Sequence, residues 1–175
     1  MKIFTENNRI RLVRTQSEDI PFVVETENDP ANSRYIGSWP YEQHLDAISD
    51  DDVLHLIVKN MDGQAVGYVI IRGLEGGHDN IELFRIVITK KDSGYGKNVF
   101  ELVKKWCFED LRAHRLWLDV REGNGRAQHV YETQGFKREG VLRECIKEGD
   151  GYESLILMSL LDREYFSQKE EGEVD

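Results

Sequence analysis

The chain has few of the residues that mark secreted, membrane-embedded or linker-divided proteins. Of its 175 residues, two are cysteines and three are prolines. Because Cys107 and Cys145 lie far apart, we expect free thiols and no disulfide. The opening MKIFTENNR lacks the apolar core of a secretory signal. The longest apolar stretch, around Leu155–Leu161, is too short to cross a bilayer. We therefore expect a cytoplasmic protein with no membrane partner.

Positive charge is also scarce. Lysines and arginines number 23 against 33 aspartates and glutamates, which gives a net charge of −10. No basic stripe interleaved with aromatic residues is present, and this argues against a direct nucleic-acid ligand. The histidines do not group with cysteines or carboxylates at metal-ligand spacing, so we expect no metal site. An acidic surface suits a cationic partner such as an amine, although net charge of this kind also serves solubility.

The hydrophobic pattern alternates between strands and helices. Arg9–Arg14 alternates like a half-buried strand, and Ile20–Asn28 has the pattern of a helix with Pro21 in its first turn. Asp29–Tyr41 contains two prolines and a glycine and is predicted to be mostly loop. Further strands are predicted at 53–59, 65–72, 81–89, 114–120, 136–147 and 152–161, and further helices at 42–48, after residue 94 and at 124–134.

This order of elements predicts the fold class. A hairpin-rich first half precedes a strand–helix–strand–helix–strand second half, which favours an α+β fold with a mixed, mostly antiparallel sheet and helices on its faces. We expect a single domain over residues 1–166. The remaining residues, 167–175, are predicted to form an acidic, disordered tail.

The stretch KKDSGYGK follows the predicted strand Ile81–Thr89. A strand that ends in a glycine-rich turn and opens a helix builds an anion site, because the first helical N–H groups lack partners within the helix. Glycine also lets the backbone approach a bulky phosphate. Both nucleotide fingerprints fail, since no glycine precedes Gly96-Lys97 at Walker A spacing and Val99 replaces the third glycine of a dinucleotide motif. A nucleotide-triphosphate enzyme is therefore disfavoured.

A second motif lies farther along the chain, where Asn124-Gly125-Arg126-Ala127 precedes Tyr131 and Gly135-Phe136. A strand, x-x-x-G-x-G, a long helix, a strand and then N-x-R-A-x-x-x-Y-x-x-x-G-F resembles the GCN5-related N-acetyltransferase (GNAT) superfamily. The most similar group is that of the ribosomal-protein and spermidine N-acetyltransferases. The motifs cover residues 81–140, and the order of elements extends the resemblance across almost the whole chain. Lys91 stands where the family usually has Gln or Arg, which keeps the positive charge.

The resemblance implies a GNAT-like sheet of about seven strands with helices on both faces, and acetyl-CoA as co-substrate. The pyrophosphate would lie on the backbone N–H groups of the glycine turn. The pantetheine arm would lie along the end of the Ile81–Thr89 strand, where the family's strand and its neighbour splay apart. The cofactor-binding residues that it implies are Ile86, Val87, Ile88, Lys91, Asp92, Ser93, Gly94, Tyr95, Gly96, Lys97, Asn124 and Arg126. Asn124 is also a good helix cap, and Arg126 serves equally as a solvated side chain.

The implied reaction is direct acyl transfer to a primary amine. Tyr131 stands where many family members have a tyrosine that protonates the leaving thiolate, and Glu82 stands where relatives often hold an acidic base. A backbone N–H near Val87 or Ile88 is the candidate donor to the developing oxyanion. The structural alternatives are a packing role for Tyr131 on an amphipathic helix and an exposed strand-end charge for Glu82.

Acceptor recognition is expected in the aromatic loop of the first half, through Arg34, Tyr35 and Trp39. Trp39 fits a lid anchored against the core equally well. Both a protein N-terminal amine and a small molecule such as a polyamine remain open as acceptors. The alternative to an enzyme is a non-catalytic acyl-CoA-binding regulatory module, which needs neither Tyr131 nor a base. The edge of the C-terminal hairpin allows a homodimer.

Overall fold

The computed structural model describes residues 3–91 and 93–172, and within this part of the chain one eight-stranded sheet has the order β1-β2-β3-β4-β5-β6-β8-β7. The strands are β1 (Ile3–Glu6), β2 (Ile10–Arg14), β3 (Val53–Asn60), β4 (Ala65–Arg72), β5 (Asn80–Ile88), β6 (Arg115–Arg121), β7 (Lys137–Glu148) and β8 (Gly151–Leu161). The helices are α1 (Ile20–Asn28), α2 (Pro30–Ser33), α3 (Tyr41–Ala47), α4 (Tyr95–Lys105), α5 (Gly125–Thr133) and α6 (Asp162–Gly172). A π-helical turn over Trp106–Asp110 extends α4.

Neighbouring strands are antiparallel except for the parallel pair β5–β6, so the mixed, mostly antiparallel sheet is confirmed. The predicted count of about seven strands omitted β1. This four-residue edge strand has no clear alternation of buried and exposed residues. It forms by pairing with β2, where Ile3 lies opposite Val13, and the pattern of its own residues therefore does not reveal it.

Helices cover both faces of the sheet, as predicted. On one face, Val23 of α1 packs against Ile57, Tyr68 and Ile70 of the central strands. On the opposite face, α4 buries an apolar stripe in the larger core cluster, where β2, β3, β4, β5, β6 and β8 also contribute residues. Tyr131 of α5 and Tyr165 of α6 pack against this second cluster.

Helix α6 includes residues 167–172, which the acidic composition predicted to belong to a disordered tail. The Tyr165 ring stacks on Phe108 with a centroid separation of 4.9 Å. Its hydroxyl donates to Glu109 (2.7 Å), and Lys169 forms an ion pair with the same carboxylate (2.9 Å). These partners lie 56 and 60 residues apart in the sequence, so local composition does not reveal them. Residues 173–175 lie outside the described part of the chain.

The described residues contain no helix with the length and apolarity that crossing a bilayer requires. Both thiols are free, as the cysteine spacing predicted. Cys107 is buried in the core, where burial raises the pKa of its thiol far above the ordinary value, and Cys145 is exposed. Cys107 is therefore a packing residue and not a nucleophile.

Candidate active site

The sheet opens between β5 and β6. The two strands pair only through Asn80–Glu82 and Arg115–Trp117, and beyond this short ladder they diverge. The second half of β5 continues to pair with β4, with Tyr68 opposite Val87. Its other edge therefore presents backbone N–H and C=O groups to the opening. Such groups require hydrogen-bond partners when they are removed from water, and an extended ligand that carries amides can supply them as an added strand would.

A β-bulge lies at the start of this opening. Ile70 of β4 pairs with Arg85 and Ile71 pairs with Leu83, so Phe84 has no direct counterpart in the register. The extra residue shifts the alternation of β5. Leu83 and Ile86 consequently pack on the same side of the sheet, although they are three residues apart. The predicted pantetheine-binding residues Ile86, Val87 and Ile88 follow the bulge along the open edge.

The glycine turn has the geometry of an anion site. Gly94 adopts a left-handed conformation (φ 78°) and precedes the first residue of α4. A Cβ built on Gly96 would meet no atom within 4 Å, so open space adjoins the first turn of the helix. The start of α4 can therefore accept a pyrophosphate on its backbone N–H groups. Lys91 and Lys97 are exposed beside it, and Asp92 lies outside the described residues.

The turn between β1 and β2 braces this glycine turn, the predicted phosphate loop, and the sequence did not reveal this role. Arg9 donates from Nη2 to the carbonyl oxygen of Ser93 (3.0 Å), and its guanidinium lies 5.8 Å from the Tyr95 ring centroid. Asn7 donates from Nδ2 to Oδ1 of Asn98 in α4 (2.9 Å). The partners in these two hydrogen bonds lie more than 80 residues apart in the sequence. The bonds hold in place the loop that includes Ser93 and Tyr95, two of the predicted cofactor-binding residues.

The second predicted motif begins α5. The Asn124 side chain accepts a hydrogen bond from the backbone N–H of Ala127 (3.2 Å), so the capping role of this asparagine is realised. Arg126 lies exposed in the first turn of the helix. A cofactor contact remains a prediction for both side chains.

Tyr131 lies on α5 with its ring against Phe100 of α4 and Phe136, at centroid separations of 5.7 and 6.3 Å. Desolvation, reinforced by the negative charge of Asp119, raises the pKa of Tyr131 to about 12. The hydroxyl therefore stays protonated at neutral pH and can donate a proton to a thiolate, whose ordinary pKa is about 8.5. The packing role and the predicted acid role are compatible here.

Glu82 is the last residue of β5 that pairs with β6. Its carboxylate receives two contacts from Arg72, from Nε (2.9 Å) and from Nη2 (2.8 Å). The pKa of Glu82 is raised, mainly by desolvation and in addition by the negative charge of Asp119. The positive charge of Arg72 opposes this rise without cancelling it. An elevated carboxyl pKa suits a base that works near neutrality. Glu82 is therefore not a solvated strand-end charge, since its side chain is only 13 % exposed.

Asp119 of β6 is the residue of this cluster that the sequence analysis missed. Its negative charge raises the pKa of both Glu82 and Tyr131, so its carboxylate lies close enough to act electrostatically on both predicted catalytic side chains. Partial desolvation raises the pKa of Asp119, and the positive charge of Arg72 opposes that rise. The available signal was a carboxylate in the strand WLDV, between the buried residues Leu118 and Val120.

The predicted acceptor residues separate into two places. Arg34 stacks on Tyr35 (4.5 Å to the ring centroid). Both residues line an open cavity of about 340 Å³ together with the tip of the β7–β8 hairpin. Trp39 instead stacks on Phe84 of the bulge, with ring centroids 5.1 Å apart and planes 26° apart. The anchored role of Trp39, which the sequence left open, is thus realised.

Charged side chains at the mouth of this cavity are paired with each other. Glu148 and Glu153 line it, and Arg121 forms ion pairs with both, at 2.5 and 2.7 Å. Within residues 3–91 and 93–172, no group of three or more His, Cys, Asp and Glu side chains is placed to share a metal ion.

The site combines a mixed sheet that opens between its parallel strands β5 and β6, a helix that begins at a glycine turn, a desolvated tyrosine and two carboxyls. These features suit a protein that binds an acyl-CoA and transfers its acyl group. The chain matches the family model of the acetyltransferase (GNAT) domain over residues 9–137, and it belongs to this family. The resemblance stated from the motifs is thereby confirmed, and the chain is an acetyl-CoA-dependent N-acetyltransferase.

Several relatives share most of the chain. The spermidine N(1)-acetyltransferase of Escherichia coli is 27% identical over 168 residues, which are 91% of this chain and 89% of the relative. An N-alpha-acetyltransferase of Sulfurisphaera tokodaii is 24% identical over 125 residues, covering 65% and 74% of the two chains. A crystal structure of the Vibrio cholerae spermidine N-acetyltransferase in complex with CoA and spermine superposes with a TM-score of 0.80 at 21% identity, covering 91% and 99%. This likeness confirms the fold.

Proposed function

We propose that the protein transfers the acetyl group of acetyl-CoA directly to a primary amine, with Glu82 as base and Tyr131 as acid. The observation that supports this most strongly is the short β5–β6 ladder. It leaves an open strand edge that leads from the glycine turn to the cluster of Glu82, Asp119 and Tyr131. The cofactor supplies the thioester, and the residues of this chain position it and handle the protons.

The proton steps follow from the charges around the opening. The incoming ammonium group binds beside Asp119 and loses a proton to Glu82, because an alkylammonium cannot attack a carbonyl carbon. The amine nitrogen then forms a bond to the thioester carbon. A backbone N–H of β5 near Val87 stabilises the oxyanion. As the carbon–sulfur bond breaks, the departing sulfur takes a proton from the Tyr131 hydroxyl. The nitrogen, which still carries one proton more than an amide does, loses it to solvent, and solvent returns a proton to the Tyr131 phenolate.

The acceptor enters from the cavity beside Arg34 and Tyr35. The names of the related enzymes indicate a polyamine acceptor in one case and an α-amine in another. Both kinds of amine fit a site in which Asp119 binds one cationic group. Polyamine acetylation has the additional support of the spermine found in the Vibrio cholerae complex. A second cationic head of a polyamine would compete with Arg121 for Glu148 and Glu153 at the cavity mouth.

The test is release of the CoA thiol from acetyl-CoA in the presence of an amine panel that includes spermidine, spermine and N-terminal peptides. We expect amine-dependent thiol release from the wild-type protein. Tyr131→Phe should reduce kcat by about 100-fold or more and leave CoA binding unchanged. CoA binding without turnover for any amine would support the regulatory module instead, and unchanged turnover in Tyr131→Phe would remove this residue from the mechanism.

A cytoplasmic location, a homodimer and a reaction without a metal are part of the proposal. A solved structure of the Vibrio cholerae spermidine N-acetyltransferase is dodecameric, so sedimentation velocity at several concentrations should distinguish a dimer from a larger assembly. Acetyl transfer that is unchanged after dialysis against a chelator would support the reaction without a metal, and its loss would contradict this part of the proposal.

A further inference from the structure

We propose that Glu27, a buried carboxylate of α1, is a positioning residue that fixes the loop between α2 and α3 (residues 34–40, the acceptor loop) on the bulged strand β5. Glu27 has 0% exposure, and four donors occupy its two oxygens. Oε2 accepts from the backbone N–H of Trp39 (2.8 Å) and from Nε2 of His44 (3.2 Å). Oε1 accepts from the Tyr68 hydroxyl (2.8 Å) and from Nη1 of Arg85 (2.5 Å). The Glu27 side chain thus joins the main chain at Trp39 to Arg85 of β5, the strand that is predicted to bind the cofactor.

Two of the residues that Glu27 binds, Trp39 and Arg85, also contact each other, and their contacts extend to the proposed base Glu82. The guanidinium of Arg85 lies 4.8 Å from the ring centroids of both Trp39 and Phe84, and these two rings stack. Arg72 lies 3.5 Å from the Phe84 centroid and forms the ion pair with Glu82. A continuous column of packed side chains therefore runs from the acceptor loop, across the bulge, to the proposed base.

A chain of buried hydrogen bonds fixes the orientation of the carboxylate. A carboxylate only accepts, so His44 donates from Nε2 and its Nδ1 then accepts from Nε2 of His55 (3.1 Å). The Nδ1 atom of His55 accepts in turn from the Thr15 hydroxyl (2.8 Å). Burial pushes the pKa of Glu27 upward, but the donors and the charge of Arg85 outweigh it, so the net pKa is lowered. Glu27 therefore stays ionised and fully bonded.

This arrangement predicts a selective effect on the acceptor side. The phosphate turn around Gly94 and the start of α4 contain none of the four donors that bind the carboxylate. A loss of general stability would weaken cofactor and acceptor binding together. A loss of positioning would release Trp39 and disturb Phe84, with little change in CoA affinity. The kinetic part of this inference rests on the proposed acetyl transfer, whereas the effect on Trp39 does not.

The decisive variant is Glu27→Gln, which keeps the size of the side chain and removes its charge. Tyr68→Phe is the matched control, because it removes one donor to the same carboxylate and leaves the contacts to Trp39 and Arg85. In a background in which Trp106 and Trp117 are phenylalanine, Trp39 is the single tryptophan. We expect Glu27→Gln to increase acrylamide quenching of Trp39 about twofold, and Tyr68→Phe to leave it unchanged.

Steady-state kinetics with an amine found in the thiol-release assay give the second measurement. We expect Glu27→Gln to raise the acceptor KM about tenfold and to keep the CoA Kd within about twofold of wild type. Quenching and acceptor KM equal to those of Tyr68→Phe would overturn the proposal. If no amine supports turnover, the proposed function fails, and the quenching of Trp39 still decides the role of Glu27.

Glu27→Gln leaves the buried Arg85 without its counter-charge, which can prevent folding. The double variant Glu27→Gln/Arg85→Met removes both charges, and the difference between it and Arg85→Met alone reports the contribution of Glu27. The proposal expects greater quenching of Trp39 in the double variant than in Arg85→Met. Equal quenching in these two proteins would contradict it.

Discussion

Acid should destabilise the folded protein through His55, a histidine that is only 3% exposed. Burial is the main cause that lowers the pKa of His55 to about 3; the positive charge of Arg85 adds to this lowering, and the negative charge of Glu27 opposes it. The Nε2–H of the ring donates to His44 and its Nδ1 accepts from Thr15, so the folded state has no free site for a second proton. Unfolding would expose this base to water.

The size of the effect follows from the two pKa values, 6.5 unfolded and about 3 folded. Between them the unfolded chain binds a proton that the folded chain does not, so stability is complete above the upper value and falls as the pH decreases. The full slope is about 1.4 kcal/mol per pH unit, and lowering the pH from about 7 to about 4.5 should cost about 3 kcal/mol. Small domains have only about 5–15 kcal/mol in total.

Urea unfolding followed by far-UV circular dichroism at the two pH values measures this loss. His55→Gln can still donate to His44 but cannot be protonated, so its stability should change by about 3 kcal/mol less than that of wild type over the same range. His78→Gln, at an exposed turn, is the control and should follow the wild-type curves. If His55→Gln and wild type lost equal stability, the reasoning about the buried histidine would be refuted.

Three further substitutions test the site. Asp119→Asn should move the acid limb of the kcat/KM profile to lower pH, because the neighbouring charge that raises the pKa of Glu82 is removed; an unmoved limb would exclude Glu82 as the base or Asp119 as its neighbour. Arg9→Ala should weaken CoA binding in calorimetry by about fivefold through loss of the bond to the phosphate loop, with the acceptor KM unchanged. Gly67→Ala would drive a Cβ into the Val87 carbonyl, so it should cost about 1–3 kcal/mol in urea unfolding and weaken CoA binding, and a fully stable variant would contradict this packing.

Much of the fold could be predicted because its signals are local. The helix at Ile20–Asn28 follows from periodicity and a proline in its first turn, and the turn at Gly94 follows from glycine between a strand and a helix. The open β5–β6 edge was implied by the resemblance, and the short ladder confirms it. The helix and the glycine turn each depend on a few consecutive residues, whereas the open edge was known only through the family resemblance.

The unpredicted features depend on partners far away in the sequence. The bulge at Phe84 is a mismatch between two strands, so the pattern of β5 alone cannot locate it. Glu27 lies 58 residues from Arg85 and 41 from Tyr68, and its sequence neighbours suggest only an ordinary helix end. Asp119 gains its importance from the splayed strands that place it near Glu82 and Tyr131. Topology must be known before such contacts can be read.

The short ladder between β5 and β6 also has a consequence for the stability of the protein, apart from catalysis. Two blocks of sheet share a narrow hydrogen-bonded joint, and the coenzyme would bridge them as a missing strand. A ligand that binds only the folded chain adds about 3 kcal/mol of stability at about a hundred times its Kd. The resistance of the folded chain to proteolysis would then increase with the concentration of acetyl-CoA.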